Sequence, residues 1–281
     1  MAILVTGVAG FIGAHVARQL LARGTPVVGI DNLNDYYDVQ LKRDRLNDIA
    51  HPNFTFHQVD FADAAALDAA LQGVEIDVIV HLGAQAGVRY SLVNPRAYVQ
   101  SNLAGHLNLL ELARSRAVSH MIYASSSSVY GNAKSLPLRV SDRVDHPISL
   151  YAATKKADEL MSETYAHLFR IPLTGVRFFT VYGRWGRPDM AIWMFAEKLL
   201  SGQPITVFNQ GQMRRDFTHI NDIVAGVLAA IDRPVIDDGL EKPGGSIAPH
   251  RIFNMGNHRA EDLGRVIQLM EAACGRQAVI E

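Results

Sequence analysis

Residues 2–13 read AILVTGVAGFIG, an apolar run that passes into a turn with the glycine spacing G-x-x-G-x-x-G. The first four of these residues are all apolar, as in a buried strand of a parallel sheet. Residues 15–23 have a helical pattern that Gly24 ends, and a second apolar run, VVGI at 27–30, stops at Asp31. Strand, glycine turn, helix and second strand within about thirty residues predict a βαβ unit that binds a dinucleotide.

The glycine turn and Asp31 together predict which dinucleotide is bound. Glycine residues let backbone N–H groups approach a pyrophosphate at a helix N-terminus, where the helix dipole favours an anion. Asp31 can accept hydrogen bonds from both ribose hydroxyls of NAD, and it would repel the additional phosphate of NADP. The predicted cofactor is therefore NAD, and its predicted contacts in this unit are Gly7, Gly10, Phe11, Ile12, Gly13, Asp31 and Asn32.

The alternation of strands and helices continues along the chain. Further strands are predicted at residues 54–60, 77–82, 120–124 and 173–179, with helices at 39–49, 98–116 and 151–169. This order predicts an α/β fold with a Rossmann-type doubly wound parallel sheet of about seven strands.

After residue 179 the pattern becomes irregular. Short strands are predicted at 205–208, 214–220 and 252–256, and helices at 191–200, 221–231 and 261–273. We therefore expect a small C-terminal substrate lobe that comprises residues 180–217 and 252–281. The NAD-binding Rossmann domain is expected to comprise residues 1–179 and 218–251.

The carboxyl ends of the predicted strands are where such a sheet binds its ligands. Leu82 and Gln85 follow one strand, and Asp60 with Phe61 ends another, where this pair is expected to meet the adenine. The alternative for Asp60 is a helix cap. Asn102, on a predicted helix, either reaches the cofactor or is an ordinary polar helix residue.

A tyrosine and a lysine at helical spacing form the candidate catalytic pair. Residues 149–156 read SLYAATKK, and Ser149 is the predicted N-cap of a helix on which Tyr151 and Lys155 share a face. A free tyrosine has a pKa of about 10, and a nearby ammonium favours its phenolate. Such a phenol can take a proton from an alcohol and later return it. A surface tyrosine beside a solvated lysine is the alternative; the hydroxyl-rich loop YASSSSVYG at 123–131 and the glycine turn favour catalysis.

Composition and charge exclude several other classes. The chain has 281 residues, 48% of them apolar and 20% charged, so a sizeable core is expected. A formal net charge of −1, without long basic runs, argues against nucleic acid or an anionic membrane surface as partner. The single cysteine, Cys274, fits a reducing compartment. No run approaches the roughly 20 apolar residues of a membrane span, so we expect a cytoplasmic protein, and no metal site is predicted.

The chain resembles the extended short-chain dehydrogenase/reductase superfamily and, within it, the UDP-glucuronate 4-epimerases. The segments that carry the resemblance, which runs from residue 1 to about 256, are TGVAGFIG, DNLNDYYD, HLGAQAGVRYS, YASSSSVYG, SLYAATKK, RFFTVYG and RWGRPDM. It implies a homodimeric enzyme that uses NAD to convert UDP-glucuronate into UDP-galacturonate at carbon 4, through a 4-keto intermediate. It also implies that Tyr151 is the base, that Lys155 is its partner, and that Ser126 bonds the reacting hydroxyl.

Further site residues follow from the same resemblance. The NAD-binding positions of the family are matched by Gly7, Gly10, Gly13, Asp31, Asp60 and Asn102. The neighbourhood of the sugar carboxylate is matched by Ser127, Ser128, Thr180 and Arg187, with Arg89 as a further candidate, and the diphosphate contacts by Arg215 and Arg251. The chain departs from the family pattern at Arg184, which replaces proline, and at Asn221, which replaces aspartate. Relatives continue beyond the position of Glu281, so the lobe is expected to be incomplete at its C-terminus.

The carboxylate of the sugar separates the possible reactions. In the 4-keto intermediate it is β to a ketone, so carbon dioxide could leave, and a bidentate Arg187 with nearby hydroxyls is suited to hold it. Dehydratases of the superfamily have an Asp-Glu pair, and decarboxylases usually a Glu, where this chain has Ser127 and Ser128. These serines count against both reactions. The alternatives are another NAD-dependent nucleotide-sugar epimerase, dehydrogenase or decarboxylase of the superfamily and, from a different class, a non-enzymatic NAD sensor.

Overall fold

The computed structural model describes residues 1–133, 136–207 and 211–281. Its strands are β1 (Ala2–Thr6), β2 (Val27–Asp31), β3 (Phe54–Gln58), β4 (Ile76–His81), β5 (His120–Ser126), β6 (Leu173–Phe178), β7 (Thr180–Tyr182), β8 (Arg214–His219), β9 (His250–Met255) and β10 (Ala260–Asp262). Its helices are α1 (Phe11–Ala22), α2 (Val39–Asp48), α3 (Ala64–Ala70), α4 (Pro95–Tyr98), α5 (Gly105–Ser115), α6 (Leu150–Phe169), α7 (Ala191–Ser201), α8 (Ile220–Ile231) and α9 (Leu263–Cys274).

Seven strands form one parallel sheet in the order β3-β2-β1-β4-β5-β6-β9. The order reverses direction at β1, which pairs with β2 on one side and β4 on the other. This is the doubly wound Rossmann-type sheet that the alternation of elements predicts, and its ligand crevice is expected at the β1/β4 switch point.

Helices cover both faces of the sheet. Successive strand residues point to opposite faces, and the apolar residues on each face are buried against these helices. On one face, Ile3 and Val5 are buried in a cluster with residues of α1 and α8. On the other face, Leu4 is buried in a cluster with residues of α5 and α6. Within the described residues, no helix combines the length and the apolar character needed to cross a membrane.

Helices α4 and α5 belong to one helical segment, Pro95–Ser115, that is interrupted by a π-helical stretch, Val99–Ala104. The sequence predicts a single helix over 98–116, and periodicity alone gives no sign of the interruption. Such π turns are frequent at functional sites. This one carries Asn102.

The lobe beyond residue 179 contains a second sheet of three strands, in the order β10-β8-β7. Helices α7 and α9 pack together around a small core of Phe195, Ile205, Leu263 and Ile267. The sequence analysis missed β7 and β10, which have three residues each. The strand predicted at 205–208 is wrong in its described part, since Ile205 forms only an isolated bridge with Ile280; Phe208 lies outside the described residues.

Strand β9 moves the predicted boundary between the Rossmann domain and the lobe, which the sequence analysis put after residue 251. It begins at His250 and pairs with β6 over six residues, up to the pair Phe178 and Met255. Residues 252–255 are therefore part of the large sheet and not of the lobe. The alternating side chains of this short run gave no indication of which sheet it joins.

Candidate active site

A cleft of about 1330 Å³ lies at the carboxyl ends of β1, β2, β4, β5 and β6 and extends to residues of the lobe. Most of the predicted site residues line it: Gly7, Gly10, Phe11, Ile12, Gly13, Asp31, Asn32, Phe61, Leu82, Gln85, Arg89, Ser126, Ser127, Ser128, Tyr151, Lys155, Thr180, Arg187 and Arg215. Three predicted residues do not line it: Asp60, Asn102 and Arg251. The cleft therefore joins the glycine turn, the tyrosine–lysine pair and the serine loop in one site.

Close backbone contacts explain the glycine turn. Gly7 has a φ of +66°, and a Cβ atom there would lie 2.6 Å from the Gly83 Cα. A Cβ atom at Gly13 would lie 2.1 Å from the Gly7 carbonyl oxygen. Phe11, Ile12 and Gly13 begin helix α1, so their N–H groups have no acceptor within the helix and can receive an anion.

Asp31 ends strand β2 and is 8% exposed at the edge of the cleft. Its carboxylate accepts hydrogen bonds from the N–H groups of Ala9 (3.2 Å) and Leu33 (2.9 Å). Burial raises the pKa of Asp31, and the nearby Lys42 ammonium opposes that shift. The glycine cradle, the free N–H groups and this carboxylate fit the pyrophosphate and ribose of NAD.

Asp60 and Asn102 support the cleft from behind. Asp60 accepts hydrogen bonds from the Asn32 side chain (3.0 Å) and the Ala62 N–H (2.9 Å). Asn102 is 1% exposed, and its side chain bonds both backbone groups of Gln85, at 2.8 and 3.1 Å. Both residues hold cleft residues by hydrogen bonds, so the direct cofactor contacts assigned to them do not follow from this geometry.

The structure does not bring Arg251 to the cleft, which corrects its assignment as a diphosphate contact. Arg251 is the second residue of β9 and pairs with Thr174 near the amino end of β6. Its guanidinium donates to Thr174 Oγ1 and to the Arg233 carbonyl oxygen. Parallel strands bind ligands at the opposite edge. The departures at Arg184 and Asn221 also lie outside the cleft lining.

Tyr151 and Lys155 lie in the first turns of α6, and the predicted N-cap is confirmed. The Ser149 hydroxyl accepts a hydrogen bond from the Ala152 N–H at 3.1 Å. Lys155 is 1% exposed, and its ammonium donates to the Ala124 carbonyl and the Asp158 carboxylate, both at 3.0 Å. Burial works to lower the pKa of Lys155, but the charges of Asp158 and Tyr151 outweigh it and raise that pKa. The ammonium is therefore charged at neutral pH.

The serine loop forms a short 3₁₀ turn, Ser127–Tyr130, directly after β5. Ser126 caps this turn: its hydroxyl accepts from the Ser128 N–H at 3.1 Å and donates to the Ser128 hydroxyl at 3.0 Å. Ser126, Ser128 and Tyr151 all line the cleft. A substrate hydroxyl there would find an acceptor and a donor within one turn.

A buried ion pair holds the serine loop from below. Arg177 on β6 binds both carboxylate oxygens of Glu159 on α6, at 2.8 and 2.9 Å, and also donates to the Tyr130 hydroxyl at 2.9 Å. Ser125 donates to the same Glu159 at 2.7 Å. Burial would raise the pKa of Glu159, but the Arg177 hydrogen bonds outweigh it and lower that pKa. The loop is thus fixed to the helix that carries Tyr151.

Arg187 reaches the cleft from the lobe and is close enough to Tyr151 for the two to interact electrostatically. The guanidinium is paired with Asp189: Nε lies 2.9 Å from Oδ1, and Nη2 lies 2.5 Å from Oδ2. Thr180 and the serines line the same cleft. The residues predicted around the sugar carboxylate therefore line one cleft, and Asp189 binds one side of the Arg187 guanidinium.

Sequence analysis missed two features of the site: the buried Arg45, and the hydrogen bond from the Tyr36 hydroxyl to Asp189. Arg45 is fully buried and donates hydrogen bonds to the carbonyl oxygens of Ala9 (3.1 Å) and Trp185 (2.7 Å). It therefore ties the glycine turn to the lobe segment that carries Arg187. On a charged helix it has the pattern of a surface residue, so no local signal could reveal this role.

Within the described residues, no group of three or more His, Cys, Asp or Glu side chains is arranged to hold a metal ion.

Comparisons with known proteins show which family the chain resembles. Residues 3–247 match the model of the NAD dependent epimerase/dehydratase family. Protein CapI of Staphylococcus aureus is 47% identical over 99% of this chain and 85% of its own length. A probable UDP-glucuronate 4-epimerase of Rhizobium meliloti is 45% identical, over 99% of this chain and 84% of its own length.

A solved structure of a similar protein has the same fold. The UDP-glucuronic acid 4-epimerase of Bacillus cereus, in complex with UDP-glucuronic acid and NAD, matches this fold with a TM-score of 0.86. The identity is 32%, over 100% of this chain and 85% of the Bacillus chain.

Proposed function

Because the chain belongs to the NAD-dependent epimerase/dehydratase family, we propose that it interconverts UDP-glucuronate and UDP-galacturonate at carbon 4 of the sugar. The observation that carries the proposal is the presence of Arg187 in the same cleft as Tyr151 and the serine hydroxyls. A neutral hexose needs no cation at that place, whereas a 6-carboxylate does. Relatives of about 45% identity that are named UDP-glucuronate 4-epimerases support the same substrate.

NAD, when bound, supplies the capacity to accept a hydride from carbon 4 of the sugar and to return it. The glycine turn and Asp31 would hold it. Arg215 lines the cleft from the lobe, and we assign it to the diphosphate of UDP.

Tyr151 performs the proton transfer. Its phenolate takes the proton of the 4-hydroxyl while the carbon is oxidised, and returns it when the 4-keto sugar, turned over, is reduced on its other face. The buried Lys155 ammonium stabilises the phenolate by its charge. Ser126 orients the reacting oxygen by a hydrogen bond. Proton and hydride are both returned, so the reaction needs no other reactant.

The serine loop and Arg187 both disfavour the loss of carbon dioxide from the intermediate. Ser127 and Ser128 offer hydroxyls and no carboxylate to the cleft, so a dehydratase or decarboxylase acid is missing from this turn. Arg187, with Thr180 and the serines, holds the carboxylate so that the C5–C6 bond does not align with the π system of the ketone and therefore does not break.

We also propose the organisation of the protein. The NAD-binding domain comprises residues 1–179 and 218–255, and the substrate lobe comprises 180–217 and 256–281. Exposed apolar side chains on α5 and α6, Leu107, Leu160, Leu168 and Phe169, support a homodimer formed through these helices. The single cysteine fits a cytoplasmic location.

Incubation of the purified protein with UDP-glucuronate, followed by chromatographic separation of the products, tests the function. We expect an equilibrium mixture with UDP-galacturonate, reached from either sugar without added reductant. UDP-pentose as the main product, or a stoichiometric requirement for fresh NAD, would indicate a decarboxylase or a dehydrogenase.

A further inference from the structure

The guanidinium of Arg187 has two edges that can each bind a carboxylate. Asp189 occupies the edge formed by Nε and Nη2. Within the described part of the chain, Nη1 has no hydrogen-bond partner, so the edge formed by Nη1 and Nη2 is available to a ligand. Arg187 lines the cleft, and 24% of its side chain is exposed.

Asp189 is itself held by a residue from the cofactor side of the cleft. The Tyr36 hydroxyl donates to Asp189 Oδ2 at 3.1 Å, across 153 positions of sequence. The Tyr36 ring packs on Tyr90, with centroids 4.8 Å apart. Tyr36 lies in the loop that follows Asp31, so this contact joins the two parts of the site.

The absence of a side chain at Gly87 leaves room for the Tyr36 hydroxyl. Gly87 has a φ of +97°, and a Cβ atom there would lie 2.4 Å from the Tyr36 oxygen. The Tyr98 hydroxyl donates to the Ala86 carbonyl at 2.9 Å, which fixes this loop. Any side chain at position 87 would therefore displace Tyr36 from Asp189.

The charges in this contact are stable over the working range of pH. Burial and the Asp189 charge raise the pKa of Tyr36, so its hydroxyl stays protonated and remains a donor. Burial would raise the pKa of Asp189, but the hydrogen bonds and charge of Arg187 outweigh it and lower that pKa. Asp189 thus remains charged and accepts hydrogen bonds from both Arg187 and Tyr36.

We propose that Tyr36 and Asp189 are positioning residues, which hold one edge of the Arg187 guanidinium so that its other edge receives the carboxylate of the sugar. This inference rests on the proposed function and adds to it the means by which the arginine is oriented. A carboxylate bound to the fixed edge cannot rotate freely. The cofactor-side loop therefore contributes to substrate specificity through Asp189.

The chemistry gives a readout that a purely structural role would not affect. If the carboxylate of the 4-keto sugar rotates into alignment, the C5–C6 bond breaks and carbon dioxide leaves. The electron pair forms an enolate with the ketone, and a proton from water completes C5, which yields UDP-4-ketopentose. NAD is the oxidant for the preceding step at carbon 4. The fraction of pentose product therefore reports how firmly Arg187 is oriented.

Tyr36→Phe tests the proposal, because it removes one oxygen and keeps the ring on Tyr90. With the NAD-loaded protein, we expect UDP-glucuronate to bind about three- to tenfold more weakly by calorimetry, as for the loss of one hydrogen bond. UDP-glucose binding should not change, and mass spectrometry should show a larger UDP-4-ketopentose fraction. Tyr165→Phe is the matched control, because that hydroxyl donates to Glu111 on α5, outside the cleft lining.

Asp189→Asn gives a second test through the product ratio, and we expect it too to raise the pentose fraction. Unchanged affinity and product ratio in Tyr36→Phe would overturn the proposal. So would tighter UDP-glucuronate binding with an unchanged ratio in both variants, since Asp189 would then merely compete with the substrate for Arg187. If the unmutated protein does not convert UDP-glucuronate, the proposed function itself fails, and this inference fails with it.

Discussion

The Lys155 ammonium lies 3.0 Å from Asp158 Oδ2, and 2% and 0% of the two side chains are exposed. The same ammonium bonds the last part of β5 through the Ala124 carbonyl, just before the serine loop. The ion pair and the Ala124 hydrogen bond together fix the Lys155 ammonium between helix α6, which carries Tyr151, and the end of β5, which leads into the serine loop.

Replacing Asp158 with Asn leaves that ammonium buried without a counter-ion. We expect the free energy of unfolding to fall by about 3–5 kcal/mol, measured by urea titration at neutral pH. The folded-state pKa of Lys155 is raised above its ordinary 10.5, so its contribution is fully present below that pH and is lost as pH rises through the folded value. In the variant, burial lowers the pKa of Lys155 without the opposing Asp158 charge, so the alkaline loss of stability should become smaller. Asp145→Asn, which breaks an exposed pair with Arg143, should change stability by less than about 1 kcal/mol.

Replacing Tyr151 with Phe removes the proton acceptor and keeps the ring. We expect the epimerisation rate to fall by about 10²–10⁴, the usual contribution of a general base, while calorimetry shows NAD and UDP-glucuronate still bound. A variant that turns over at the parent rate would show that another group takes the proton.

Replacing Arg187 with Ala removes the cation expected at the sugar carboxylate. Loss of charge-assisted hydrogen bonds costs about 1.5–3 kcal/mol each, so UDP-glucuronate should bind at least about tenfold more weakly. UDP-glucose binding should change little, and decarboxylated product should increase. Arg184→Ala is the control, because that side chain in the same segment is 70% exposed and lies near Asp48. Equal effects of both variants would contradict the assignment.

Replacing Asp31 with Asn tests the choice of cofactor. The unmutated protein should prefer NAD, because the carboxylate repels the additional phosphate of NADP. In the variant we expect the ratio of the two dissociation constants to narrow roughly tenfold, which corresponds to about 1.4 kcal/mol. Calorimetry on protein freed of cofactor measures this, with Asp44→Asn on α2 as the control. Equal affinity of the unmutated protein for both cofactors would refute the role of Asp31.

Replacing Leu160 with Asp tests the proposed dimer. Leu160 is 57% exposed on α6, and a charge there would be buried without a partner if α6 packs against a second copy. We expect light scattering at micromolar concentration to show a dimer for the unmutated protein and a monomer for the variant. A monomer in both cases would contradict the proposed association.

Local patterns in the sequence were sufficient for the parts of the molecule that local physics determines. The glycine spacing predicted the turn at Gly7, and the position of Ser149 predicted a helix cap that the hydrogen bond to Ala152 confirms. The parallel, doubly wound character of the sheet followed from the alternation of strands with helices. These features depend on residues that are neighbours in the chain.

Contacts between distant segments were not available to that reasoning. The bond from Tyr36 to Asp189 spans 153 positions, and the bond from Arg45 to Trp185 spans 140. Arg251 was assigned to the diphosphate from the resemblance to the family, but its place at the amino end of β9 puts it at the opposite edge of the sheet. Which edge a residue joins depends on strand pairing, which residue type does not reveal.

The central claim, oxidation and reduction at carbon 4 within one site, is tested most directly with UDP-glucuronate that carries deuterium at that carbon. In the proposed reaction, the hydride removed from carbon 4 is returned to the same carbon, and only the proton assigned to Tyr151 exchanges with water. The UDP-galacturonate formed in ordinary water should therefore retain its deuterium, as measured by mass spectrometry and proton NMR. UDP-galacturonate that has lost the label to solvent, or a protein that forms none at all, would contradict the account.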